Sequence, residues 1–186
     1  LIDQLPKSIC KSICQHLFLP TVEKVYLFQG VSREFLLPVV AKMKAEYIPP
    51  REDVIMHNEA PDDVYIIVSG EVEYIDCVME KEIINGVLQS VDMFGEVSAL
   101  CCKPQRFAFR TKTLSQLLRL KTSVLLEAMR ANKKDSAAIM NNFLLVSADK
   151  NEWFIANTIL VSDISCCVSS KSSRCILWSI TKSPLI

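Results

Sequence analysis

Glycine and histidine are scarce in this 186-residue sequence, and each shortage excludes something. Only four glycines occur, at positions 30, 70, 86 and 95, so each is expected to mark a specific turn. Only His16 and His57 could supply imidazole, whereas metal-dependent enzymes built on β-barrels gather several histidines and a carboxylate inside one barrel. Because no Ser-His-Asp or Cys-His arrangement is evident either, the sequence predicts neither an enzyme nor a metal site.

The sequence also lacks a charge excess and a long apolar run. Its 21 basic residues balance 21 acidic ones, whereas nucleic-acid-binding proteins cluster Lys and Arg to neutralise phosphates. No nucleic-acid partner is therefore expected. Its apolar stretches are shorter than the roughly 18 residues that a membrane-spanning helix needs, so we expect no transmembrane segment in this chain.

The eight cysteines follow no regular spacing, and no secretory signal opens the sequence. Disulfide frameworks belong to oxidising compartments, so we expect reduced thiols and a cytosolic setting. Cys10, Cys14 and His16 superficially have the spacing of metal ligands, but small residues on one helix face account for the two cysteines. The sequence opens on Leu1 rather than methionine, and we interpret it as an excised or incomplete piece of a longer protein.

Residues 1–44 have the pattern of several short helices. Apolar residues recur at helical spacing as far as Pro20, which is predicted to end the first helix. Thr21 is predicted to cap the next, short one. Ser32 is predicted to begin another amphipathic helix that reaches Met43.

From residue 45 the pattern changes to short β-branched and aromatic runs separated by turn residues. These runs predict strands at residues 47–48, 53–56, 64–68, 71–75 and 113–120. Asn85-Gly86 is a strong signal for a two-residue hairpin, with Ile83-Ile84 before it and Val87-Leu88 after it. Short strands at this spacing predict an antiparallel sandwich or barrel.

Helical character returns near the end of the barrel. Ser123 is predicted to cap one helix, and Asp135 or Ser136 to cap a second one that runs through Leu145. These helices should pack on the barrel or close over its mouth. Residues 147–186 hold nine serines and keep no period, so they are expected to form a poorly specified tail.

Residues 93–113 hold the candidate binding site. A tight turn at Gly95-Glu96 precedes a short apolar helix, and free N–H groups at such a turn favour an anion. A loop containing Pro104 follows, and then a strand-like run that carries Arg106. A carboxylate inside the turn and an arginine a few residues later are typical of a sugar-phosphate site.

This order of elements resembles the cyclic-nucleotide-binding domain family. The residues that carry the resemblance are Phe94-Gly95-Glu96, Ala99-Leu100, Pro104 and the arginine-bearing strand after it. A more specific likeness, to the cytoplasmic region of plant Shaker-type potassium channels, is carried by three stretches within residues 1–145: LPKSICKSICQHLFLPTVEKVYLFQGVSREFLLPVV, AEYIPPREDVIMHNEAPDDVYIIVSGEVE and RTKTLSQLLRLK.

The resemblance implies an α+β fold, in which an antiparallel β jelly-roll of the cyclic-nucleotide-binding type follows C-linker helices and precedes two closing helices. It divides the chain into C-linker helices at 1–44, a cyclic-nucleotide-binding-like domain at 45–146, and a tail at 147–186 unrelated to the family. It also implies a place beneath a tetrameric, voltage-gated potassium pore, on the cytoplasmic side of a membrane. The partners would be other potassium-channel subunits in a homo- or hetero-tetramer, and the membrane would be reached only through a pore region missing from this chain.

In ligand-competent members of the family, the turn amides and an arginine hold the cyclic phosphate, while the glutamate takes the ribose hydroxyl. The resemblance gives these candidate contacts to cyclic AMP or cyclic GMP: Phe94, Gly95, Glu96, Val97, Ser98, Gln105, Arg106 and Phe107. The family's phosphate arginine falls on Gln105, and the small hydroxyl residue beside it falls on Arg106, so the arginine is displaced by one position. Phe107 stands where the family prefers a small residue. No cofactor is required.

Two alternatives concern the charged side chains of this stretch. If the segment is extended, adjacent side chains face opposite ways and Arg106 points out of the pocket. Glu96 could instead find a partner within the chain, such as Arg106 or Arg110. Arg110 itself is interpreted as a surface or interface charge rather than a ligand contact.

An assembly module with weak or lost ligand binding is the favoured function. Its contacts with neighbouring subunits would use apolar side chains of the N-terminal helices: Ile9, Ile13, Leu17, Phe35 and Leu36. The alternative is a functional cyclic-nucleotide sensor, whose closing helix would clamp the base and bias gating. A DNA-binding regulator would need a basic recognition helix, and the sequence after Val146 has no such pattern.

Overall fold

The computed structural model describes residues 7–78, 81–101 and 104–149. The predicted tail lies outside this description beyond residue 149. The helices are α1 Lys7–Val22, a 3₁₀ helix Tyr26–Phe28, α2 Arg33–Val40, α3 Glu96–Cys101, α4 Thr122–Ala131 and α5 Lys133–Asp149. The strands are β1 Lys44–Ile48, β2 Asp53–Ile55, β3 Asp63–Ser69, β4 Val72–Val78, β5 Lys81–Leu88, β6 Met93–Phe94, β7 Ala108–Thr111 and β8 Ser115–Lys121.

The eight strands form two four-stranded antiparallel sheets, in the orders β1-β8-β3-β6 and β2-β7-β4-β5. The α+β jelly-roll is thereby confirmed, with helices before and after it. Within the described residues, no helix is long and apolar enough to cross a membrane.

Two hydrophobic clusters lie on opposite faces of the first sheet. The helical cluster joins the helices to alternate residues of β3 and β8: Val64, Ile66, Leu118 and Leu120. The barrel cluster lies between the two sheets: Ile55, Tyr65, Ile67, Val72, Phe94, Phe109 and Leu117. Because successive strand residues face opposite ways, the continuous apolar runs of β3 and β8 supply both clusters.

The first helix is longer than predicted. α1 includes Pro20 and Thr21 and ends at Val22, so the predictions that Pro20 breaks it and that Thr21 caps the next helix are wrong. Proline removes one backbone donor, but close to a helix end it disturbs few bonds. Burial of Phe18 and Val22 in the helical cluster holds this last turn in place.

The cap predicted at Ser32 is confirmed, because its hydroxyl accepts a bond from the Phe35 N–H at 3.3 Å. The helix that it begins, α2, ends at Val40 rather than at Met43. The predicted caps further along are wrong. α4 starts at Thr122 and takes in Ser123.

The cap of α5 is Asn132, whose Oδ1 accepts a bond from the Asp135 N–H at 3.3 Å. The backbone N–H of Ser136 also donates to the Asn132 carbonyl. The helix therefore begins at Lys133, before the predicted caps at Asp135 and Ser136, and the Asp135 carboxylate remains available for other bonds.

The predicted hairpin at Asn85-Gly86 is also wrong. Both residues lie within β5, where Tyr74 pairs with Gly86 and Ile75 with Ile84, so Asn85 is the extra residue of a β-bulge. A Cβ on Gly86 would lie 2.6 Å from the Tyr74 hydroxyl and 2.7–2.8 Å from its ring. The glycine therefore makes room for a ring on the neighbouring strand rather than for a turn.

Candidate functional site

The turn after β6 has the geometry that the sequence predicts. Gly95 has a φ of +87°, in the left-handed region, and a Cβ there would lie 3.0 Å from the Asp63 carbonyl oxygen. The turn leads directly into α3, and the Gly95 carbonyl accepts a bond from the Ala99 N–H at 3.1 Å. Glycine is required here both for its backbone conformation and for the close approach of β3.

Phe94, immediately before this turn, anchors it to the interior of the barrel. Its ring is stacked between those of Tyr65 and Phe109, with centroid separations of 5.2 and 4.6 Å. The side chain is 1% exposed. Offset aromatic stacking adds to the energy of burial, so the turn starts from a rigid point.

Glu96, the candidate ligand for a ribose hydroxyl, is bound within the chain. Its Oε1 accepts a hydrogen bond from the Tyr26 hydroxyl at 3.0 Å, and Glu96 is 8% exposed. The prediction of an intramolecular partner was therefore right in kind, but it named Arg106 or Arg110. Tyr26 packs against the helical cluster, so the bond links the turn to the N-terminal helices.

Gln105 faces inward and is held by its backbone. The side chain is buried at 6% exposure. Its N–H donates to the Glu59 carbonyl at 2.7 Å, and its own carbonyl accepts from the Asn58 N–H at 2.9 Å. The position that would carry the family's phosphate arginine is thus well fixed, but its side chain is neutral.

Arg106 lies on the solvent side of the same segment. Its side chain is 70% exposed, with a long contact of 3.5 Å from Nη2 to Oδ2 of Asp76. Its guanidinium also lies 5.2 Å from the centroid of the Phe107 ring. Phe107 is half-buried against the barrel cluster and meets the Tyr74 ring edge to face at 5.6 Å.

The predicted contacts therefore divide between the two clusters. Phe94 and Phe107 belong to the barrel side, whereas Val97 packs against the helical cluster. Ser98 lies in α3. The predicted site residues share one stretch of sequence, but they reach into two different environments.

Arg110 is a half-buried structural cation. Its guanidinium forms ion pairs of 2.7 Å with both Glu82 and Asp53. Hydrogen bonds to Glu82 and then to Asp53 raise the pKa of Arg110, and the same contact lowers the pKa of Glu82. Because Phe109 faces the barrel interior, Arg110 faces outward, and it cross-links strands β2, β5 and β7.

Sequence reasoning missed the polar bonds that surround Tyr26. Asp135, buried at 4% exposure, accepts bonds from the Ser32 N–H at 2.9 Å and from the Ser32 hydroxyl at 2.7 Å. These hydrogen bonds lower the pKa of Asp135. Asn142 Nδ2 donates to the carbonyls of Leu27 and Gln29 at 3.1 and 2.8 Å. Helix-cap patterns drew attention to Ser32 and Asp135 separately, but no local pattern pairs residues so far apart.

The part of the chain that the structure describes offers no set of metal ligands. No group of three or more His, Cys, Asp or Glu side chains there is placed to hold a metal ion. Glu96 at the turn is instead engaged in a hydrogen bond, and Arg110 on β7 in ion pairs. The arrangement is suited to binding and to mechanical linkage.

Comparison with known proteins shows which proteins this chain is similar to. A sequence model for the cyclic nucleotide-binding domain matches residues 45–132. "Potassium channel AKT2/3" of Arabidopsis thaliana is 72% identical over 144 residues, and "Potassium channel AKT2" of Oryza sativa subsp. japonica is 61% identical over 146 residues. Each alignment covers 77% of this chain, and the chain spans 18% and 17% of the length of these two relatives.

A solved structure supports the fold alone. The regulatory subunit of a cAMP-independent protein kinase A from Trypanosoma brucei has a TM-score of 0.67 and 13% sequence identity. The match covers 80% of this chain and 53% of that one. Residues 45–132 thus match the cyclic nucleotide-binding domain model, and the chain is similar to these plant potassium channels over 77% of its length.

Proposed function

We propose that this chain is the cytoplasmic regulatory and assembly region of a voltage-gated potassium channel, with a cyclic-nucleotide-binding fold whose ligand binding is weak or lost. The names of the plant relatives support the channel context. Potassium-channel subunits, in a homo- or hetero-tetramer, are the proposed partners. The membrane would be reached through a pore region outside this chain.

We infer weak or lost binding from the two positions of the candidate site that would contact the ribose and the phosphate. Glu96 is bonded to Tyr26, and the buried position to which the resemblance assigns the phosphate arginine is the neutral Gln105. The neighbouring cation, Arg106, is exposed and contacts Asp76. A charge-assisted hydrogen bond contributes about 1.5–3 kcal/mol, so its absence weakens cyclic-nucleotide binding by about 10- to 100-fold.

Calorimetric titration with cyclic AMP and cyclic GMP tests this proposal. The unchanged chain should give no saturating heat in the low micromolar range, and Gln105→Arg should tighten binding by about 10- to 100-fold. Gln89→Arg adds the same charge at an exposed glutamine and should leave binding unchanged. Low-micromolar binding by the unchanged chain, abolished by Glu96→Ala, contradicts the proposal.

The surface proposed for assembly is smaller than the sequence suggested. Phe35 and Leu36 are buried in the helical cluster, at 4% and 1% exposure, so their predicted role in subunit contacts is wrong. Ile9 and Leu17 on α1 remain 46% and 59% exposed, and Ile13 is half-buried. The proposed assembly contact is therefore the α1 surface around Ile9 and Leu17.

Sedimentation of the chain at high micromolar concentration tests assembly. We expect association that Leu17→Ser weakens, whereas Tyr47→Ser, a polar change at an exposed residue of β1, should leave it intact. A strictly monomeric mass for the unchanged chain counts against an α1 contact, although a tethering pore would raise the local concentration in the whole channel.

A functional cyclic-nucleotide sensor is the second candidate function. The observation that favours it is the attachment of α5 to the N-terminal helices through Asp135 and Asn142. A ligand that moves α5 would thereby move the segment between α1 and α2. Micromolar binding of cyclic AMP or cyclic GMP in the calorimetric titration would favour this candidate over the first.

A further inference from the structure

The Tyr26–Glu96 bond joins parts of the chain that are 70 residues apart. Tyr26 opens the 3₁₀ helix between α1 and α2, and Glu96 opens α3 at the candidate phosphate turn. A tyrosine hydroxyl and a ribose hydroxyl are donors of the same kind to a carboxylate oxygen. The bond at 3.0 Å therefore uses the carboxylate to which the resemblance assigns a ribose hydroxyl.

The segment that carries Tyr26 is fixed by α5. Asn142 donates to the carbonyls of Leu27 and Gln29, directly after Tyr26. Asp135 accepts both the N–H and the hydroxyl of Ser32 at the end of the same segment. One helix thus holds the connection from the 3₁₀ helix to α2 at two points.

We propose that Tyr26 is an intramolecular lock on Glu96: its hydroxyl takes the place of a ligand's ribose hydroxyl, and Asn142 of α5 holds the lock closed. This rests on the proposed function, in which the cyclic-nucleotide site is weak or lost. In this proposal a ligand hydroxyl competes with Tyr26 for Oε1 of Glu96, and a displaced Tyr26 strains the bonds of Asn142 to the backbone beside it. By linkage, loosening α5 strengthens ligand binding, and ligand binding loosens this contact of α5.

The lock accounts for two features together. Glu96 is buried, and the bond from Tyr26 supplies a partner for a carboxylate that would otherwise be costly to enclose. The N-terminal helices also gain a polar contact with the phosphate turn, beyond the apolar packing of the helical cluster. The candidate site is therefore a mechanical joint as well as a binding surface.

Paired titrations with cyclic AMP and 2′-deoxy cyclic AMP test the lock. They are made on the full chain carrying Gln105→Arg, with and without Tyr26→Phe, which removes only the hydroxyl. We expect Tyr26→Phe to tighten cyclic AMP by about tenfold and to leave 2′-deoxy cyclic AMP unchanged, because only the first ligand competes for Glu96. Asn142→Ala should act in the same direction with a smaller effect. Tyr47→Phe, at an exposed tyrosine, is the matched control and should change neither ligand.

The readout is the ratio of the two dissociation constants within each variant, so a change in the folded fraction cancels. A ratio that Tyr26→Phe leaves unchanged overturns the lock. The lock is also overturned if the chain that combines Gln105→Arg with Tyr26→Phe binds neither ligand, because something other than Tyr26 then closes the site. The proposed assembly function survives that result. Low-micromolar binding by the unchanged chain defeats the proposed weak site, while the ratio still reports on the lock.

Discussion

The two hydrophobic clusters of this domain are built differently, although they share the same sheet. Three of the seven buried residues of the barrel cluster are aromatic, and Phe94 stands between two stacked rings. In the helical cluster only four of the twenty buried residues are aromatic. The buried polar groups also differ: the helical side has the carboxylates of Glu96 and Asp135, whereas the barrel strands have the neutral hydroxyls of Thr111 and Ser115.

This difference suggests separate roles for the two clusters, with support from the barrel and regulation on the helical side. Stacked rings hold the barrel by dispersion and apolar burial, which do not respond to pH or to a polar ligand. The links around the helical cluster depend on charge and on individual donors, so a ligand or a proton can break them singly. Control of the domain should therefore act on the helical side, and the barrel should act as its fixed support.

The largest expected effect is the loss of the central ring of the stack. Phe94→Ala should lower the free energy of unfolding by about 3–5 kcal/mol, since the barrel cluster cannot collapse around the cavity. Urea unfolding measures this change.

A milder pair of substitutions sharpens the contrast between the clusters. Phe143 is equally buried, at 0% exposure, in the helical cluster. If stacking matters, Phe94→Leu should cost about 1 kcal/mol more than Phe143→Leu. Equal costs would show that the barrel cluster gains nothing from ring geometry.

An intermediate effect is expected at Asp135, on the helical side. Asp135→Asn should lower the free energy of unfolding by about 2 kcal/mol at pH 7, because a buried charged acceptor of the Ser32 N–H and hydroxyl is lost. Asp62→Asn, at an exposed carboxylate, should be close to neutral. Urea unfolding at neutral pH gives both values.

The pH dependence of the same variant follows from the lowered pKa of Asp135. A carboxyl with a depressed pKa in the folded state stabilises above its unfolded pKa, near the ordinary value of 3.8, and loses that contribution as pH falls through the folded pKa. The difference between the unchanged chain and Asp135→Asn should therefore shrink on acidification from pH 7 toward about pH 2. A difference that stays constant over this range would show that Asp135 acts through packing rather than charge.

A smaller effect is expected in the barrel wall at Gly86. Gly86→Ala should cost about 1–2 kcal/mol, because the added Cβ meets the Tyr74 ring and forces it to shift. In a Tyr74→Leu background the same change should cost much less. A full penalty in both backgrounds would place the strain in the backbone of the β-bulge instead of in the ring.

Local patterns in the sequence predicted much of this fold. The β-branched run within β3 and the left-handed Gly95 turn each depend on neighbours in the chain, and both are found where expected. The hairpin at Asn85-Gly86 was wrong although the pattern is strong. A ring from another strand, that of Tyr74, explains this glycine.

The candidate site was predicted only in part, for a similar reason. The sequence predicted an outward Arg106 if the segment was extended; Arg106 is exposed and Gln105 is buried, but residues 106–107 form a bend and the strand begins only at Ala108. The partner of Glu96 was beyond such reasoning, since Tyr26 lies 70 residues earlier and has no distinguishing local pattern. Polar pairs between residues far apart in the sequence depend on how the helices pack, and local sequence patterns do not predict that packing.

The smallest expected effect concerns Arg106, outside both clusters. Its contact with Asp76 is long and exposed, and such surface pairs contribute little because water and salt screen them. Arg106→Gln should change the free energy of unfolding by less than about 0.5 kcal/mol, whereas Arg110→Gln, which removes two ion pairs of 2.7 Å, should cost about 1 kcal/mol. In the Gln105→Arg background, Arg106→Gln should also leave the affinity for cyclic AMP unchanged. If that affinity falls tenfold, Arg106 swings inward to the phosphate, and the barrel side of the site is less rigid than its stacked rings indicate.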